Sequence, residues 1–134
     1  MLSWYLGGFP AFAAYFGAAV LMLGAFGAIY SQITPHHEFR LIRNGCTAAI
    51  PAFLGALIGY VLPLTAAMRA SENFTDFLIW SAIAAFVQML AYLVARLIVP
   101  NVSTRIAEND LSAGSLLGGI ALAFGLINAA AMTP

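Results

Sequence analysis

From Met1 to Pro35 the chain carries no Asp, Glu, Lys or Arg. About 20 apolar residues suffice to cross the hydrocarbon core of a bilayer as a helix, and a soluble fold has no place to hide a stretch this long. Across all 134 residues there are only five basic and five acidic side chains, while 63% of residues are hydrophobic. Ten charges cannot make the polar shell that a soluble domain needs. Most of the surface must meet an apolar medium, so this is an integral membrane protein.

The first segment lacks the basic n-region of a cleaved signal peptide, and it is expected to remain as a membrane helix. A net charge of zero offers no basic face, so nucleic acid is not an expected partner. The lone Cys46 excludes an internal disulfide and leaves the redox compartment open.

Charges and turn residues divide the chain into four apolar stretches, near residues 9–31, 47–67, 74–98 and 111–132. Each is long enough to cross as a helix with some tilt. Runs such as "AAYFGAAVLMLGAFGAIY" show none of the apolar–polar alternation of a membrane β-strand. The expected fold is all-α, a four-helix membrane bundle forming a single domain over residues 1–134. Four spans place both termini on one side. Arg40, Arg43, Arg96 and Arg105 then cluster on the opposite side, with Arg69 alone in the middle loop. The positive-inside rule makes the arginine-rich side cytoplasmic and both termini periplasmic. The sequons at Asn73 and Asn101 fall on opposite sides and read as chance matches.

The polar interruptions follow one plan twice. "ITPHHEFRLIRNGCTAA" and "IVPNVSTRIAENDLSAG" align without a gap at an offset of 65, matching Pro35 to Pro100, Arg40 to Arg105 and Asn44 to Asn109. Thr47 then falls on Ser112, and Ala48 on Ala113. Helix, polar loop and helix repeat as residues 9–68 and 74–133. Each unit crosses twice, so the two units share an orientation, and a two-fold axis along the membrane normal is expected.

Two readings of these loops stand side by side. In one, the residues cap helices: Thr34 and Pro35 open a short helix, Asn44-Gly45 ends it, and Thr47 caps the second span. Pro100 opens the second copy, Asn109-Asp110 interrupts it, and Ser112 caps the fourth span. In the other, two helix N-termini beside Arg40 and Arg105 form a positive pocket for an anionic group. Glu38, Glu108 and Asp110 compete for those arginines. The candidate loop site is therefore Glu38, Arg40, Asn44, Thr47, Arg105, Glu108, Asn109 and Ser112. The His36-His37-Glu38 run has no second His/Cys cluster to complete a coordination shell, so neither a metal nor another cofactor is expected.

Polar residues also enter the bilayer. Gln88 lies near the centre of the third span. Spacings of four place Gln88, Tyr92 and Arg96 on one face, with Ser81 close to it. An amide at that depth is expected to face protein or enclosed water, because unmet hydrogen bonds in lipid are costly. It either fixes helix packing or lines a polar path, and Arg96 can snorkel to the interface. Small residues mark close packing at Gly55 and Gly59 in the second span, and at Gly114 and Gly118 in the fourth. These two GxxxG patterns do not coincide at an offset of 65, so the repeats are expected to pack differently there.

The segments "YSQITPHHEFRLIRNGCTAA", "GALIGYVLPL", "QMLAYLVARLIVP" and "GLINAAAMT" resemble the YjfL-type bacterial inner-membrane proteins, also called domain of unknown function 350. The likeness covers nearly the whole chain. It rests on the TP-x-x-E loop, the G-x-x-x-G-x-x-x-P-L run, and Gln88 followed eight residues later by Arg96. The resemblance implies four inner-membrane helices from a duplicated two-helix unit and supplies no activity. The family's association with phage-shock-like membrane-stress genes hints at envelope maintenance.

P-loop, HExxH and GxSxG motifs are absent, and the chain is not expected to be an enzyme. The preferred expectation is an oligomeric structural or interaction component of the envelope, with the bilayer, further copies of itself and envelope-stress membrane proteins as partners. The alternative is a small oligomeric channel or transporter for an ion or small solute, with a polar path past Gln88.

Overall fold

A computed structural model describes the backbone of residues 2–33 and 38–132, and the side chains of residues 6–32 and 40–132. All regular structure among the described residues is helical. Six helices follow in order: α1 (Leu2–Ile33), α2 (Glu38–Arg43), α3 (Ala49–Ala70), α4 (Phe74–Ile98), α5 (Val102–Ala107) and α6 (Leu111–Met132). The order is long, short, long, then long, short, long.

Four of these are long and apolar enough to span a membrane: Leu6–Gln32, Ala49–Ala70, Phe74–Ile98 and Leu111–Met132. The shortest, at 22 residues, is about 33 Å long at 1.5 Å per residue, enough for a core of about 30 Å. The third and fourth spans have the expected limits. The first helix starts at Leu2, well before the expected residue 9, and runs through Pro10. Pro10 has no N–H to return to the Leu6 carbonyl. Helix nonetheless continues on both sides, because backbone in lipid must satisfy its own polar groups. The second span begins at Ala49 and not at residue 47, and Pro51 sits in its first turn, where a missing N–H removes no helical bond.

At the centre of the bundle α3 and α6 pack along their whole length, and glycine makes that approach feasible. A Cβ on Gly114 would overlap the Ala48 carbonyl, and one on Gly118 that of Pro51. On Gly55 it would overlap the Gly118 backbone, and on Gly125 that of Gly59. Contacts advance together along both chains, so α3 and α6 run parallel. The two GxxxG patterns, expected to pack differently, interlock in this one seam. Between helices in lipid there is no hydrophobic drive, and close backbone packing takes its place. Pro63 lies inside α3 and has no N–H for the Gly59 carbonyl. That carbonyl is the one turned toward Gly125.

The first helix is held differently. Its N-terminal half is largely exposed at Leu6, Phe9, Phe12 and Phe16, whereas Phe26 and Tyr30 are buried. Phe26 stacks on Tyr60 with ring centroids 4.5 Å apart. Tyr15 meets Phe74 and Phe77 at 5.4 and 5.5 Å. Aromatic contacts of this geometry add about 0.5–1.5 kcal/mol each beyond area burial. The two central helices thus meet through glycine, and the peripheral helix docks through rings.

Candidate functional site

The end of the bundle that carries α2 and α5 gathers most of the polar residues, and backbone demands explain the way they pair. The short helix α2 ends where the Cys46 N–H donates to the Leu41 carbonyl at 2.8 Å. Gly45 supplies the positive φ of 82° for that turn. The chain then enters α3 with Ala48 at the cap position, where no local side chain accepts a hydrogen bond. Thr47 is exposed and does not cap. The Ala48 N–H donates instead to Asn109 Oδ1, at 2.9 Å across 61 residues. Cys46 Sγ donates nearby to the Ile106 carbonyl at 3.2 Å.

The second loop solves the same problem locally. Asp110 Oδ1 accepts from the N–H groups of Ser112 at 3.0 Å and Ala113 at 3.4 Å. Asp110 therefore caps α6, and Ser112, the expected cap, is exposed. The difference has a simple origin. At the offset of 65, Asp110 matches Gly45, which has no side chain to offer. The first loop borrows its cap from the second.

Arg105 Nε donates to Asp110 Oδ2 at 2.8 Å. That hydrogen bond holds the Asp110 carboxyl below its ordinary value of 3.8; desolvation opposes the shift, while the Ala113 and Ser112 N–H groups reinforce it. Of the three acids expected to compete for the loop arginines, Asp110 takes Arg105. No described carboxylate pairs with Arg40 or Arg43, and both are exposed. Among the candidate loop residues, Asn109 and Arg105 have side chains that bond across or within the loops. Arg40, Asn44, Thr47, Glu108 and Ser112 are partly or fully open to the outside. The side chain of Glu38, the His36-His37 pair and the Thr34-Pro35 opening lie outside the described residues. Both helix N-termini expected to attract an anion are already met by the chain's own oxygens, those of Asn109 and Asp110.

Within the membrane, α4 leans on the α3–α6 seam. Gln88 is fully buried. Its Nε2 donates to the Ala121 carbonyl at 2.9 Å and, at the limit of 3.5 Å, to that of Ala56. Ala56 and Ala121 stand 65 positions apart, so the amide sits between matching points of the two central helices. Gly59 makes room for it, since a Cβ there would collide with Nε2. Tyr60 Oη donates to the Ser81 carbonyl at 3.0 Å. Asn128 Nδ2 reaches the Ala84 carbonyl at 3.5 Å. Ser81, Gln88 and Tyr92 share a buried face, whereas Arg96 is exposed. Ser81 Oγ and Gln88 Oε1 have no hydrogen-bond partner among the described residues.

Where α4 ends, the Tyr92 and Ser103 hydroxyls bond to each other. Beside them Arg96, Asn101, Val102 and Thr104 complete the lining of an open notch of about 230 Å³. Sequence reasoning missed one further cap. Asn73 Oδ1 accepts from the Asp76 N–H at 2.8 Å and opens α4. Asp76 Oδ2 accepts in return from the Glu72 N–H at 3.3 Å. The N-x-x-D spacing ahead of an apolar run was the available signal.

Comparison with known proteins agrees with the membrane character of the chain. The family model described as Domain of Unknown Function (DUF350) matches residues 3–132. UPF0719 inner membrane protein YjfL of Escherichia coli (strain K12) is 45% identical over 123 residues, covering 92% of this chain and 93% of the relative. The protein of the same description from Escherichia coli O157:H7 matches to the same extent. No solved structure matches the chain.

Proposed function

The chain belongs to the family described as Domain of Unknown Function (DUF350), and from that premise we propose that it is a multi-pass inner-membrane protein acting as a structural and interaction component of the cell envelope. Its membrane part is a scaffold, and its loop end is the surface offered to partners. The observation that carries this reading is Gln88. The most polar group at mid-membrane is fully buried and bonded to the backbone of a neighbouring helix, which supports a role in helix packing. Glycine-mediated contact between α3 and α6 supports the same view.

In this reading the arginine-rich end is cytoplasmic, the termini are periplasmic, and the protein works as an oligomer without cofactor or catalysis. Exposed Arg40 and Arg43 suit the loop end to acidic partners, among which membrane-stress proteins of the envelope are the first to test. Nucleic acid is not among the partners.

A rival draws on the unpartnered Ser81 Oγ and Gln88 Oε1, two oxygens on one face of α4. They would begin a polar path past Gln88 in a small oligomeric channel or transporter. Reconstitution into liposomes separates the two. A scaffold leaves ion and solute flux at the level of empty vesicles while an oligomer is detected in the same membranes. Flux that scales with protein and changes on Gln88→Leu establishes the rival.

A further inference from the structure

We infer that the notch beside Arg96 is a headgroup site for an anionic phospholipid. Four observations converge on it. Arg96 lies two residues from the end of a membrane-spanning helix, which places its guanidinium at headgroup depth. It is exposed and has no ion-pair partner among the described residues, in contrast to Arg105, which is held by Asp110. The notch is lined by Tyr92, Arg96, Asn101, Val102, Ser103 and Thr104, so it contains a cation and no carboxylate. Beside it, Leu93, Leu97 and Ile98 are 49%, 84% and 60% exposed, an apolar wall on which acyl chains can lie.

The chemistry selects among lipids. A guanidinium matches the two free oxygens of a phosphodiester with a planar fork of donors. A zwitterionic lipid would bring an ammonium group into a notch with no carboxylate to receive it. A glycerol headgroup brings hydroxyls, and Asn101 and Thr104 face them. Asn101 sits at φ 59° and uses no side-chain oxygen to cap α5, so its amide is free for this role.

The test uses the purified full-length protein in mixed micelles with equal amounts of phosphatidylglycerol and phosphatidylcholine. Lipid retained per protomer is read by native mass spectrometry. Wild type should retain phosphatidylglycerol preferentially. Arg96→Gln should lose about fivefold of that preference, the share expected of one basic side chain at a charged surface. Arg96→Lys should keep part of it. Asn101→Gly, which retains the positive φ, should lose less than Arg96→Gln but in the same direction. Arg43→Gln and Arg69→Gln should be unchanged. Undiminished preference in Arg96→Gln overturns the site. Equal losses in Arg43→Gln or Arg69→Gln overturn it in favour of diffuse charge. Displacement of the lipid by equimolar inorganic phosphate overturns it in favour of a free-anion site.

Discussion

Asn109 Oδ1 accepts the Ala48 N–H at 2.9 Å, joining the second loop to the first turn of the second span. Asn109 also holds a positive φ of 65°, a conformation that Asn and Gly tolerate better than other residues. These two roles separate under mutation. Asn109→Gly keeps the positive φ accessible while removing the side chain with its accepting oxygen, and should cost about 1 kcal/mol, the usual worth of an N-cap. Asn109→Ala also forces an alanine into the left-handed region and should cost more. Equilibrium unfolding in mixed micelles checks the order. Equal stability of wild type and Asn109→Gly would show that the cap contributes nothing.

The glycine seam makes a position-specific prediction. Gly55, Gly118 and Gly125 have backbone where a Cβ would go, while Gly119 has nothing within 4 Å. Gly118→Ala should therefore destabilise by roughly 1–3 kcal/mol, as overpacking does, and Gly119→Ala should stay within about 0.5 kcal/mol. Thermal unfolding of the two variants side by side is sufficient. If both behave alike, the parallel α3–α6 packing is wrong.

Acid should loosen the loop end through Asp110. Its folded carboxyl titrates below the ordinary value of 3.8, so the charged form favours the fold above the unfolded value. That contribution is lost as pH falls through the folded value. Wild type should lose more stability than Asp110→Asn as pH falls from the ordinary value of 3.8 through the lower folded value. Parallel stability curves for the two proteins would contradict the Arg105–Asp110 bond.

The proposed orientation rests on four arginines at one end against Arg69 at the other. A reporter fused after Pro134 should be active as a periplasmic enzyme and silent as a cytoplasmic one. The reverse result would invert the protein and leave its four spans intact.

Much of this architecture is written locally. Spans three and four can be bounded from sequence because Asn73, Ile98 and Leu111 sit where apolar runs meet polar residues. Gly55 and Gly118 are visible as packing residues because small side chains recur at helical spacing. Their mutual contact is not visible, since it depends on the register between helices 63 residues apart in the chain. The caps show the same limit more sharply. Thr47 and Ser112 have suitable side chains at suitable places, yet an amide from the other loop and a preceding carboxylate take the N–H groups. Local preference names residues that can cap, and tertiary geometry decides which do. The docking of α1 through Phe26 and Tyr30 left no trace in the pattern, because its exposed half is equally rich in aromatic residues.

Gln88→Leu is the substitution that bears most on function. The side chain is enclosed by α3, α4 and α6, and its Nε2 donates to the Ala121 carbonyl at 2.9 Å. That carbonyl already serves an intrahelical bond, so Gln88 supplies a second donor to an oxygen with two lone pairs. Its Oε1 lacks a partner, which offsets part of the gain, because an unmet acceptor in a dry site carries a desolvation cost. The net worth of membrane hydrogen bonds averages about 0.6 kcal/mol, and leucine fills nearly the same space without an unmet oxygen. Gln88→Leu should therefore change stability by about 1 kcal/mol or less, in either direction, with helix content unchanged. Gln88→Ala, which opens a cavity beside Gly59, should cost about 2 kcal/mol or more. If Gln88→Leu unfolds the protein, the amide holds far more than this geometry provides.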